Sequence, residues 1–292
     1  MRGSEERAPM KHRMMRTALS HISPKLTHEV MFRHAMGEAC DLREPKTFNE
    51  KISWLKLYEL PKMPLASLVT DKYAVRSYVE EHGYGDLLVD LYGHWGSVDE
   101  IDFGALPERF VLKCNHGCGM NILCHDRDGF DEEAARRELS EWMRMDWGLM
   151  SAEPHYSSIE RQIICEQLVD GPLVDYKFYC FGGEPKLFYI SEGLDEGPTA
   201  GRISFFSMDG TRAPFKRGDH KPVEGDVHLP SYMGEMTAVA RDLAQPFKFA
   251  RIDFMVNSER YYFSEVTLTP CAGMMPVEPK EWDLRLGEML EL

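Results

Sequence analysis

Several things are scarce or missing in this 292-residue chain, and each absence removes a class of function. No run approaches the roughly 18–20 apolar residues needed to cross a bilayer as a helix. The first 16 residues, Met1 to Arg16, are charged and lack the apolar stretch of a secretory leader, so no such leader is expected. Positive charge is in deficit: 34 Lys and Arg face 48 Asp and Glu, a net charge of −14. A basic surface for nucleic acid or for an anionic membrane is therefore not expected, since phosphate binding is driven by positive charge. The seven cysteines are an odd count and suggest free thiols in a reducing cytoplasm rather than a disulfide framework. Cys114, Cys118 and Cys124 lie close together beside His116 and His125. Their spacing is not the paired ligand set of a structural zinc site. No G-x-x-x-x-G-K-[ST] loop is present, and no glycine fingerprint opens a helix after a strand, so Walker-type and Rossmann nucleotide sites are excluded.

What is present concentrates near the end. Arg251-Ile252-Asp253-Phe254, a polar turn at Asn257-Ser258-Glu259, and Tyr261 to Thr267 read as a β-hairpin with apolar residues in both arms. Asp253 and Glu265 fall on opposing arms among residues expected to be buried. A buried carboxylate must be paired or must hold a metal. The first reading pairs the acids with Arg251 and Arg260. The second gives Asp253, Glu265 and the Thr267 hydroxyl to Mg²⁺, a hard cation that takes oxygen ligands beside nucleotide phosphates.

Upstream, Arg109 to Cys114 is a short apolar strand that carries Lys113, and a second apolar run begins at Ile122. Between them, Asn115-His116-Gly117-Cys118-Gly119-Met120-Asn121 makes a glycine-containing tip whose backbone N–H groups can approach an anion. Arg161 to Gly171 is an apolar strand running through Glu166 and Leu168 into a turn. Asp175 to Phe181 is an alternating strand with Asp175 and Lys177 on one face.

The order of these pieces resembles an ATP-grasp domain, and the chain is most similar to the TupA-like family associated with teichuronopeptide and capsular polysaccharide biosynthesis. The likeness runs over roughly residues 42–290. It is carried by Thr47-Phe48-Asn49-Glu50-Lys51-Ile52-Ser53-Trp54-Leu55-Lys56, Asp71-Lys72-Tyr73-Ala74-Val75-Arg76, Val111-Leu112-Lys113-Cys114-Asn115-His116-Gly117, Asp175-Tyr176-Lys177-Phe178 and Glu265-Val266-Thr267-Leu268-Thr269-Pro270.

The resemblance implies an α+β fold of the ATP-grasp type, with two subdomains clasping ATP. It implies a carboxylate–amine ligase using ATP and Mg²⁺, with ADP and phosphate as products. The carboxylate would be a small molecule or a glycan uronate, and the co-substrate an amine. Lys72, Lys113, Gly117 and Gly119 would meet the nucleotide phosphates. Glu166 and Leu168 would lie at adenine, and Asp175 at the ribose. Asp253, Glu265 and Thr267 would hold Mg²⁺, Thr267 standing where most of the superfamily has Asn. Lys177, Arg251, Arg202 and His116 would stabilise the transferring phosphoryl group or the acceptor. A sugar kinase or a catalytically silent nucleotide-binding protein would use the same clasp.

Periodicity divides the chain into a frayed segment 1–25, an N-terminal lobe 26–105, a subdomain 106–169 with the lysine strand and glycine loop, and a subdomain 170–292 with the hairpin. It predicts helices over 27–40 (Val30, Met31, His34 and Ala35 inward), 47–58, 65–82, 131–147, 232–244 and 278–290. A strand is expected near 87–92, mobile chain at 192–200, and a long polar loop at 211–230.

Overall fold

The computed structural model describes residues 10–193, 201–225, 227 and 229–292. Of the segment expected to be frayed, residues 1–9 lie outside the described residues. Residues 10–22 form a helix, α1 (Met10–Ile22). The Gly/Pro-rich stretch expected to be mobile lies outside them from 194 to 200.

A second helix, α2 (Pro24–Met36), is capped by the Ser23 hydroxyl and ended by Gly37 at φ 75°. Its buried face is Thr27, His28, Met31 and Phe32. Of the four residues expected inward, only Met31 is; Val30 is 51% exposed. The stripe is rotated because His28 is drawn onto the buried Lys56 ammonium, 2.8 Å from its Nδ1.

Helix α3 (Phe48–Trp54) starts at a complete capping box, Thr47 with Glu50, and passes into a π turn at Leu55–Glu59. The expected helix 65–82 is two, α4 (Pro64–Thr70) and α5 (Val75–Glu81). It breaks because the Asp71 carboxylate accepts the Tyr73 and Ala74 N–H groups, competing with the helical ladder.

The first large sheet is antiparallel, with strands β1 (Leu91–Trp95), β2 (Phe110–Cys114), β3 (Asn121–Cys124) and β4 (Ile163–Gln167) in the order β1-β4-β2-β3. Between β3 and β4 come α6 (Glu132–Met143) and α7 (Trp147–Ser151), the latter restarted by an Asp146 cap. The second sheet contains β5 (Val174–Phe181), β6 (Glu184–Glu192) and β7 (Arg202–Ser207). It is completed by β9 (Phe249–Val256) and β10 (Tyr261–Thr267), in the order β10-β9-β5-β6-β7. The long loop before α8 (Met233–Ala244) carries a two-residue strand, β8 (Lys216–Arg217), paired with β11 (Val277–Glu278). The last helix is α9 (Glu281–Glu288).

Two cores result. One joins the five-stranded sheet to α8 and also to Phe48, Ile52, Leu55, Val69, Val75 and Val79. The other joins the four-stranded sheet to Val98–Leu106 and to Leu139, Trp142 and Trp147. The chain from 26 to 105 therefore contributes to both cores. The two sheets face one another across the side chains described next.

Candidate functional site

Strand register builds the acidic half. Lys177 on β5 lies opposite Asp253 on β9, and Asp253 opposite Glu265 on β10. Thr267 lies opposite Arg251, one step along the same face. Period-two alternation then puts Asp175, Lys177, Arg251, Asp253, Glu265 and Thr267 on one side of the sheet. Phe178, Ile252 and Phe254 on the other side are fully buried.

The Asp253 carboxylate is 1% exposed. It accepts from Arg251 Nε (2.7 Å) and Nη2 (2.6 Å) and from Lys177 Nζ (3.0 Å). Burial pushes its carboxyl up, and the Arg251 and Lys177 charges oppose that rise. Burial acts against the Lys177 ammonium too, but Asp253 and Asp175 outweigh it and raise Lys177 above its ordinary value. Glu265 is likewise penalised by burial, yet Lys72, Lys177 and Arg251 hold its carboxyl down to about 2. Asp175 sits 3.8 Å from Lys177 and accepts from the Ser191 hydroxyl at 3.1 Å.

The Arg251 side of the pairing expected from sequence is present. Arg260 instead donates to the Asp86 carbonyl and covers the Tyr262 ring. Asp253 Oδ2, Glu265 Oε1 and Thr267 Oγ1 lie 2.6, 2.9 and 2.9 Å from a single atom, Arg251 Nη2. Three oxygens, two of them carboxylate, thus converge on one nitrogen, and oxygen is the donor type that Mg²⁺ takes. Among the described residues no group of three or more His, Cys, Asp or Glu is arranged to hold a metal ion.

The basic side draws Lys113 and Glu166 from the four-stranded sheet and Lys72 and Arg76 from the α4–α5 region, which packs in the first core. Lys113 projects from β2 and donates to Glu166 Oε2 at 2.7 Å. Glu166 sits inside β4, paired in register with Leu91 and Val111, and also accepts from Arg76 at 3.1 Å. Leu168, half-buried, follows the strand at the start of the link to β5. Lys72 donates to the Gly117 carbonyl, and its own N–H reaches Asn115 O at 3.2 Å. Asn115 also donates to Asp71 at 2.8 Å, so the Asp71-Lys72 pair is tied to the glycine loop at several points. Gly119 sits at φ 75°, a backbone that residues with a Cβ rarely adopt. A Cβ on Gly117 would fall 2.8 Å from Met120 Sδ. Lys72, Arg76, Lys113 and Glu166 meet Met255, Phe263 and Ser264 of the other half around a narrow pocket of about 10 Å³, room for one water.

Two residues singled out from sequence are not brought here by any contact among the described residues. His116 is 1% exposed, packed under α6 with Nε2 3.2 Å from the Trp142 carbonyl. Burial lowers its pKa to about 4, so it is neutral at pH 7. Arg202, at the far edge of the sheet, pairs with Glu224 at 2.9 Å and donates to Pro222 O. Conversely, sequence reasoning missed the partnership of Arg76 with Glu166, although Arg76 stands in a quoted motif. It also missed Glu153, 5% exposed, which accepts from the Thr269 hydroxyl. Nothing in the spacing of Glu153 and Thr269 marks them as partners.

The family model described as TupA-like ATPgrasp matches residues 50–291. No curated protein matches the sequence. Among solved structures, D-alanine–D-alanine ligase from Bacillus anthracis complexed with ATP is 14% identical, with a TM-score of 0.46 over 78% of this chain and 66% of that one. D-Alanine-D-alanine ligase from Helicobacter pylori is 15% identical, with a TM-score of 0.48 over 85% and 70%. An L-amino acid ligase from Bacillus licheniformis is 13% identical, with a TM-score of 0.41 over 72% and 49%. The chain thus spans 66%, 70% and 49% of the lengths of these three proteins.

Proposed function

Since the chain belongs to the TupA-like ATP-grasp family, we propose that it is an ATP- and Mg²⁺-dependent carboxylate–amine ligase. The mixed α+β architecture of two antiparallel sheets is the ATP-grasp fold. The two cores are then the halves of a clasp hinged between Gln167 and Val174. The observation that carries the reading is the row Lys177–Asp253–Glu265–Thr267 with Arg251, close enough to Lys72 for its charge to act on Glu265.

In the proposed reaction a substrate carboxylate oxygen attacks the γ-phosphorus of ATP and ADP leaves. The amine nitrogen then attacks the acyl phosphate carbon, phosphate leaves, and the nitrogen gives up a proton. Asp253, Glu265 and Thr267 would hold Mg²⁺, which would neutralise charge at the phosphates. The chemistry otherwise depends on positioning and positive charge. Lys113 exchanges Glu166 for phosphate oxygens, and Lys72 holds the glycine loop over them. Lys177 and Arg251, kept protonated by their acids, face the transferring group. Asp175 is assigned to the ribose hydroxyls, and Leu168 with the backbone after Glu166 to adenine. The acceptor class we favour is a glycan uronate or an amino acid in cell-surface polysaccharide biosynthesis. The seven free thiols support a reducing compartment, the cytoplasm. No described helix is long and apolar enough to cross a membrane.

One observation favours a second reading, a silent nucleotide-binding protein: Arg251 bonds all three oxygens assigned to the metal. The test is hydroxamate formation from a panel of uronates and amino acids with ATP, MgCl₂ and hydroxylamine as the nucleophile. A hydroxamate with stoichiometric ADP and phosphate supports the ligase. A phosphosugar with ADP contradicts it in favour of a kinase, and tight ATP binding with no product favours the silent protein.

A further inference from the structure

The segment that follows the acids, Thr269 to Met275, has an unusual backbone. Cys271 (φ 51°, ψ 29°) and Ala272 (φ 52°, ψ 28°) are both left-handed, and Gly273 follows at φ 77°. Side chains with a Cβ avoid this region, and such backbone persists only where the surroundings over-determine it.

The surroundings are one face of α3 and its π turn. Asn49, Ser53 and Lys56, spaced four and three residues apart, lie on a common face, and all three are 0% exposed. Asn49 grips Met275 at two points, Nδ2 to its carbonyl (2.8 Å) and Oδ1 from its N–H (2.7 Å). Ser53 donates to the Asn49 carbonyl at 2.6 Å and approaches the Gly273 carbonyl at 3.4 Å. Lys56 Nζ donates to the Ala272 carbonyl at 2.7 Å. A Cβ on Gly273 would stand 2.5 Å from the Ser53 hydroxyl, so the contact is as close as a glycine allows.

The segment also borders the acid row. The Tyr179 hydroxyl reaches Met275 Sδ at 3.4 Å, Tyr179 packs on Tyr189, and the Arg251 guanidinium lies over the Tyr189 ring. At the other end Thr269 donates to Glu153, from the opposite half of the molecule.

We propose that Lys56, with Asn49 and Ser53, is a positioning residue: the buried polar face of α3 holds the left-handed loop Pro270–Gly273 closed beside the acid row. A buried ammonium is costly to place in a helix that needs no charge for its own stability. Lys56 Nζ bonds the Ala272 carbonyl as well as His28 Nδ1, so it ties the loop to α2 and to the turn after α3. The loop position stands on geometry alone. Its consequence for catalysis, alignment of the acceptor, rests on the ligase reading.

The test uses the full chain with Lys56→Met, which keeps the apolar stem and removes the donor. Cys271, half-buried in the loop, is the reporter, through iodoacetamide alkylation mapped by peptide mass spectrometry. Alkylation of Cys271 is expected to quicken roughly tenfold or more, the factor for loss of one charged hydrogen bond from a locally closed segment. Calorimetric affinity for ATP with MgCl₂ and alkylation of Cys118 should be unchanged. Gly273→Ala, which forces the loop off Ser53 without touching Lys56 or His28, should give the same pattern if Lys56→Met does not fold. Where the wild type forms hydroxamate, Lys56→Met should lower kcat and leave the KM for ATP as it was. Wild-type alkylation rates in the variants that fold would overturn the proposal. So would failure of both to fold, which would assign the polar face to fold stability instead.

Discussion

The two sheets carry their charges in opposite ways. On the five-stranded sheet Lys177, Asp253 and Glu265 come from adjacent strands in direct register, so the ladder that makes the sheet also makes the constellation. Asp253 is 1% exposed and shares its cations within 3.0 Å. On the four-stranded sheet the charged groups are brought together by reach. Lys113 comes from β2, Glu166 from β4 and Arg76 from α5, and the Lys113 side chain keeps 24% of its exposure. The first arrangement is preformed. The second is paired on itself, Lys113 and Arg76 both on Glu166, and in the proposed reaction Lys113 would trade Glu166 for phosphate. The lesson is that register fixes a site rigidly, whereas long side chains from separate elements leave it adjustable.

The sharpest way to break this contrast is to neutralise one acid on each side. Asp253→Asn leaves Arg251 and Lys177 short of a buried counter-charge and should cost about 3–5 kcal/mol of stability in urea unfolding. Glu166→Gln should cost less, about 1–3 kcal/mol, because Lys113 retains solvent. Equal losses would mean that the basic half is as rigid as the acidic one.

Acid titration sharpens the comparison further, through three buried histidines that resist protonation. Burial lowers the pKa of His28 to about 2, of His155 to about 3 and of His116 to about 4. Below pH 6.5 the unfolded chain binds protons that the folded chain refuses. Stability is therefore full above about pH 7 and falls as pH drops from 6.5 toward 4. Each histidine contributes about 1.4 kcal/mol per pH unit, at most about 4 for the three together. Urea midpoints across that window should show the fall, and His116→Asn should reduce its slope. A flat profile would contradict the burial of these rings as neutral groups.

The adjustable half should respond to ligand more than to unfolding. Lys113→Ala is expected to weaken ATP binding by about 1.5–3 kcal/mol, the worth of a charge-assisted hydrogen bond, or roughly ten- to a hundredfold in Kd. Calorimetric titration giving the wild-type Kd would remove Lys113 from the nucleotide site.

The acidic half was more legible in the sequence for the same reason that it is rigid. Asp253 and Glu265 read as opposing residues because a two-residue period and a marked turn dictate which side chains meet. Lys113 on its strand and the glycine tip were legible likewise. Contacts made through long side chains across the fold left no periodic trace. Pairing of the acids with Arg251 and Arg260 was one reading of two; the bond from Arg251 to Thr267, Arg76 on Glu166 and Thr269 on Glu153 were not foreseen. His116 looked like a site residue because it sits in the glycine loop, yet its ring turns beneath α6. Buried polar pairs also misled the helix readings. A stripe counted from apolar residues put Val30, His34 and Ala35 inside, while His28 and Lys56 bury each other. The Asp71 side chain breaks a helix that hydropathy alone would run on from 65 to 82.

The central claim is that the acid row takes Mg²⁺ as well as Arg251, and Glu265→Gln tests it most directly. The substitution keeps the shape of the side chain and removes its charge. The measurement is ADP release against MgCl₂ concentration for wild type and variant, with folding checked by melting. A metal clamp contributes several kcal/mol to phosphoryl transfer, so the variant should lose roughly a hundredfold or more in rate and need more Mg²⁺ to saturate. A variant that loses stability but turns over at nearly the wild-type rate, with the same Mg²⁺ half-saturation, would make Glu265 only the ion-pair partner of Arg251 and contradict the account.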